Sequence, residues 1–246
     1  MVELYAYRHA NVNGDYTTMQ PAGTSKLPSE KVNTITELFA NENDSILHGM
    51  WMERLQQQEA WYMYASRQRQ SEATAIRKSY CTDAQMSRLE KSDFFDENLD
   101  NLVGHYFPDE NTVVNNLPTV KKYRPPIHDY TIDPKVLEAI IHGCFARWSS
   151  KEDPVYIVLP DEDFDCAVLC WRKAIYLAMP YALRARAGYA TWPTPKCIHE
   201  FIYLFFLPEC EAHRFKDEPL LYPLSCQCAD NINKILSRSL SQDLCI

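Results

Sequence analysis

Apolar positions along the chain fall into two rhythms, one of period two and one of helical spacing. Leu4 and Ala6 alternate with Tyr5 and Tyr7 through Glu3–Arg8, which predicts a strand. Asn13-Gly14 is a turn signal, after which Tyr16–Met19 is expected to return as the second strand of a hairpin. Val32, Ile35, Leu38 and Phe39 then recur at helical spacing, predicting a helix from Pro28-Ser29 to about Ala40 with Ser29 as its cap. The aromatic-rich Glu59–Ser66 and the alternating Ala73–Cys81 predict two more strands, joined by the polar segment Arg67–Glu72. A short helix is expected near Ala84–Leu89.

The C-terminal part is patterned more strongly. Asp133 suits a helix cap and Pro134 the first helical position, where its missing N–H costs nothing. Leu137, Ile140, Ile141, Cys144, Phe145 and Trp148 make one apolar stripe, so this helix is expected to reach Trp148. Val155–Leu159 reads as a buried strand. The run from Asp161 through Phe164, Val168, Trp171 and Ile175 reads as a helix stopped by Pro180. Gly188–Trp192 and His199–Leu207 are expected strands, and Ile232, Ile235, Leu236 and Leu240 mark an amphipathic terminal helix. Strands and helices do not alternate strictly, so the expected class is α+β, with mixed or antiparallel sheets and flanking helices.

Length leaves two organisations open, one large domain or two lobes, since 246 residues bury enough surface for a real core. With two lobes, the division falls at 1–107 and 134–246, separated by a linker at 108–133 that Pro108, Pro118, Pro125 and Pro126 keep irregular. The net charge of −8 argues against binding nucleic acid, which needs Lys and Arg to neutralise phosphates. Seven carboxylates between Glu90 and Glu110 concentrate that charge into a solvated face or a docking surface for a basic partner. Glu3 and Arg8 interrupt any secretory leader, and the apolar run Phe201–Leu207 is too short to span a bilayer. A soluble, cytoplasmic protein with reduced thiols is therefore expected.

The chemistry-bearing residues form only loose constellations. Cys210 and His213, with Cys226 and Cys228 downstream and His199 upstream, are the candidate metal ligands. The C-x-C spacing is tight for a structural zinc site, and no metal or other cofactor is expected. Cys166 and Cys170 share a helix face and read as core. Neither a G-x-S-x-G elbow nor a Gly-rich phosphate loop occurs, and His199-Glu200 lacks the second His of a zincin helix. No catalytic residue is assigned. Arg184 and Arg186 would share one face of an extended backbone and are the candidate partner-binding residues. Arg67 and Arg69 near a hairpin tip, and Arg8, His9 and Asp15 around the first turn, are weaker groupings of the same kind.

One pattern is more specific. Val155–Pro160 (VYIVLP), a helix containing Trp171 and ending Ala178-Met179-Pro180, then Leu183-Arg184 and Gly188–Trp192 (GYATW), follow in order. With the early Leu4–Tyr7 and Glu59–Tyr64, this series resembles the N-terminal domain of bacterial GTPase-associated proteins. Met179 replaces the Leu expected before the proline, and Arg8-His9 and Asn13-Gly14 stand in place of a Gly-His pair. The resemblance implies a non-enzymatic adaptor, sensor or regulator encoded beside NTPases in bacterial conflict (anti-phage) systems, with no catalytic residues to carry over. Its expected partner is a protein, an NTPase encoded nearby. The rival expectation is a hydrolase or nuclease effector using Cys/His chemistry or a metal.

Overall fold

The computed structural model describes residues 4–12, 15–20, 24–40, 47–55, 59–70, 79–88, 133–162, 164–191, 199–223 and 235. The first half supplies strands β1 (Leu4–Val12), β2 (Asp15–Met19), β3 (Ser25–Lys26), β4 (Leu47–Leu55), β5 (Glu59–Gln70) and β6 (Ser79–Arg88), with helix α1 (Ser29–Leu38). The second half supplies α2 (Pro134–Ser150), β7 (Val155–Leu159), α3 (Phe164–Ala178), the short α4 (Tyr181–Arg184), β8 (Gly188–Thr191), β9 (Ile202–Pro208) and β10 (Leu220–Leu221). A 3-10 helix, Glu209–Phe215, links β9 to β10.

All ten strands belong to one sheet, in the order β10-β7-β9-β8-β4-β5-β6-β1-β2, with β3 beside β1. The fold is therefore α+β on a mixed sheet. From β4 to β2 the long pairings are antiparallel, and β10, β7, β9 and β8 are parallel. Each half has its own sequence logic. β7, β8 and β9 are buried at every position, as parallel strands covered on both faces must be. In β6, buried Ala84 and Met86 lie opposite Ala65 and Met63 of β5 and keep a period of two. That pairing overrides the short helix expected at Ala84–Leu89, since β6 runs as strand through Arg88. β4 was absent from the sequence expectation. Leu47 and Trp51 are buried on one of its faces and Met50 and Met52 on the other, so no alternation shows.

Helix ends follow local chemistry in part. Asp133 caps α2 as expected, accepting the Lys135 backbone N–H at 2.9 Å, and α2 stops where Lys151 turns left-handed at φ 57°. α1 begins differently: Pro28 occupies its cap position without a side-chain bond, and Ser29 is already helical. The buried side of α2 is Val136, Ala139, Ile140, Gly143, Cys144, Ala146 and Arg147, while Phe145 and Trp148 of the expected stripe are exposed. Small residues win that face because the strand beside it is close. A Cβ on Gly143 would lie 2.4 Å from Val155 Cγ2.

The two halves join at β4 and β8, where Gly49 faces Ala190 and Met50 faces Tyr189. Gly188 permits the approach: a Cβ there would stand 2.4 Å from the Phe201 carbonyl oxygen and 2.6 Å from Trp51 Cβ. Residues 108–132 of the expected linker lie outside the described residues, as do the acidic stretch and Ile232, Leu236 and Leu240 of the expected terminal helix. Ile235 is helical and buried against α2 near Gly143.

Candidate functional site

A charged cluster forms in the interior around Glu53, in β4 and 2% exposed. Lys31 Nζ of α1 reaches its Oε2 at 2.5 Å, and the Trp51 indole N–H donates to Oε1 at 2.8 Å. His199 Nε2 lies 3.1 Å from the same Oε1. The Phe201 backbone N–H donates to His199 Nδ1 at 3.2 Å, so the imidazole carries its proton on Nε2 and donates it to Glu53. Burial by itself would raise the Glu53 pKa. The bonds from His199, Lys31 and Trp51 overrule it and hold the group at about 2. The carboxylate is thus ionised, with a donor on each of its oxygens.

This arrangement resembles a carboxylate–imidazole pair in composition but not in availability. Both ring nitrogens of His199 are engaged, and no Ser or Cys side chain bonds to it among the described residues. The cluster also bridges separate elements of the fold. It ties α1, through Lys31, and the approach to β9, through His199, to the central strand. Arg147 of α2 extends the tie by donating to the His199 carbonyl at 3.0 Å.

A second buried pair lies on β1 and β6. Arg8 Nε and Asp83 Oδ1 are 2.5 Å apart, with a second bond of 3.0 Å from Nη2 to Oδ2, and the residues face each other in register. The Cys81 thiol donates to Asp83 Oδ2 at 3.8 Å, and burial pushes its pKa up to about 12. Arg8 and His9 alternate across the sheet, so the grouping of Arg8, His9 and Asp15 does not converge. His9 instead stacks between Tyr7 and Tyr16 and bonds Thr18. Arg67 bonds the Phe39 carbonyl and covers the Tyr80 ring.

The candidate partner-binding arginines sit where the backbone is helical and turning, so the shared extended face expected of them is not formed. Arg184 ends α4, is buried, and donates to the carbonyls of Leu177 and Met179, closing the end of α3. Arg186 is half-buried and lies over the Trp148 ring at 5.5 Å. Trp148 in turn stacks with Phe145 at 6.1 Å. Phe145 and Trp148 are left exposed at this α2–α4 corner, and Leu177 of α3 and Tyr181 of α4 are likewise large apolar side chains left exposed.

Among the cysteine and histidine candidates, Cys210 and His213 share the 3-10 helix, but the His213 ring bonds the Cys210 carbonyl at 2.8 Å rather than its sulfur. Asp161 accepts the Cys210 backbone N–H at 3.1 Å, and burial with Asp161 pushes the Cys210 thiol up to about 11. Cys226 and Cys228 lie outside the described residues, as does the side chain of Cys166. Among the described residues no three His, Cys, Asp or Glu side chains gather as a metal site, and no helix is long and apolar enough to cross a membrane.

Sequence reasoning missed Glu53, Lys31 and Trp51 because it missed β4. The one available signal was Trp51-Met52-Glu53, a carboxylate two positions from a tryptophan and hence on its face of any strand. No family model, curated protein or solved structure matches this chain.

Proposed function

We propose that the chain is a non-catalytic protein-interaction module, an adaptor, sensor or regulator acting on an NTPase encoded nearby in a bacterial anti-phage system. The observation that carries the docking role is the exposed aromatic pair Phe145 and Trp148 with Arg186 over the Trp148 ring. Tryptophan, tyrosine and arginine are the residue types that anchor protein interfaces, because they bury large area with few degrees of freedom. The resemblance to GTPase-associated proteins supports the choice of an NTPase, of a defence setting and of the cytoplasm. The interior charges favour the same reading: Glu53, His199, Arg8 and Asp83 spend their bonds on holding strands and helices together.

The test is co-purification of the full chain with the NTPase encoded beside it. Wild type should retain the NTPase through size exclusion, and Phe145→Ala/Trp148→Ala should lower retention at least ~10-fold with an unchanged melting temperature. Wild type that captures nothing, or a double variant that captures normally, would overturn the proposal.

A further inference from the structure

The aromatic corner contains a cation, Arg186, whose charge no ion pair answers among the described residues. Arg186 stacks on exposed Trp148 at 5.5 Å, its Nε is buried, and that atom has no hydrogen-bond partner among the described residues. Its other neighbours are the Tyr62 and Tyr203 phenols, which feel its positive charge but form no ion pair with it. The contrast with its neighbours is informative. Arg184, two residues earlier, closes α3, and Arg147 on α2 donates to the carbonyls of Glu152 and His199. Arg186 alone of the three makes no hydrogen bond with its guanidinium among the described residues.

Resting on the docking role proposed above, we infer that this corner receives an acidic, apolar-flanked segment of the partner protein. One carboxylate would pair with Arg186, and apolar side chains would lie on Phe145 and Trp148. A guanidinium beside an indole can pair with a carboxylate at the same time, and a carboxylate answers the guanidinium fork with two parallel bonds. The chain's net charge of −8 bears on the class of anion. A polyanion such as nucleic acid would meet repulsion along its length, while a single carboxylate gains a short contact that screening leaves intact.

The probes are short fluorescein-labelled peptides on a Gly/Ser frame, each carrying one Leu and one Phe flanked either by Asp/Glu or by Asn/Gln. Acidic peptides should bind the full chain about 10-fold more tightly than their amide counterparts, the gain of a charge-assisted bond over a neutral one. Arg186→Gln should erase that preference, while Arg186→Lys, which keeps the charge and guards against a folding defect, should retain part of it. Equal binding of acidic and amide peptides, a preference that survives Arg186→Gln, no binding of either peptide, or stronger binding of a single-stranded oligonucleotide would each overturn the inference. If it fails while Phe145→Ala/Trp148→Ala still abolishes NTPase capture, the docking role stands with an uncharged partner surface. If NTPase capture also ignores the double variant, the docking role itself has failed.

Discussion

At Glu53 a carboxylate stays charged inside the sheet because three donors converge on its two oxygens. Its folded pKa of about 2 lies below the ordinary 4.5, so its contribution to stability is present above about pH 4.5 and is lost as pH falls toward 2. Glu53→Gln leaves Lys31 facing a neutral amide, and breaking a buried pair in this way costs about 3 kcal/mol. Urea unfolding at pH 7 should show that loss, and the gap between variant and wild type should narrow below pH 4.5. Arg8 and Asp83 make the complementary case. Either removed alone, as in Asp83→Leu, should cost about 3–5 kcal/mol, whereas Arg8→Met/Asp83→Leu should recover most of it, since apolar side chains can replace a buried pair. Equal instability of the single and double variants in the same measurement would count against that account. Neither pairing was legible in the sequence. Arg8 and Asp83 are 75 residues apart, and strand register alone makes them partners.

Among the elements, α2 separates what periodicity conveys from what packing chooses. Its cap, its first residue and its length follow from Asp133, Pro134 and the apolar spacing. Its inward face does not, because six apolar residues wrap too wide an arc to name one side. The strand β7 settles it by accepting only the narrow side that carries Gly143. Gly143→Ala should therefore destabilise by about 1–3 kcal/mol, although alanine is the better helix former by about 1 kcal/mol. Val155→Ala in the same chain should restore most of the loss, because a β-branched valine has no other rotamer to retreat into. Thermal melts of the two variants decide this. Phe145 and Trp148, turned outward by the same choice, become available as a surface.

For the molecule as a whole, the continuous sheet means that the two halves share hydrogen bonds along β4 and β8. Gly188 is the tightest point of that seam, wedged against the Phe201 carbonyl and the Trp51 backbone. Gly188→Ala must displace backbone rather than a side-chain tip and should cost at least about 2 kcal/mol. Because the seam belongs to both halves, Glu53→Gln in the first and Gly188→Ala at the junction should each shift one cooperative transition, seen at the same midpoint by fluorescence and circular dichroism. Two separated transitions would mean that the halves unfold independently. The sequence by itself determined the α+β class, the hairpin β1–β2, and the α2–β7–α3–β8–β9 series, because those elements are written in local periodicity, caps and proline stops. Tertiary structure decided the existence of β4, the single sheet, the partners of Glu53 and Asp83, and the outward turn of Trp148 beneath Arg186. Each of those depends on residues far apart in the chain meeting across strands, where pairing and close approach, not local pattern, set the free energy.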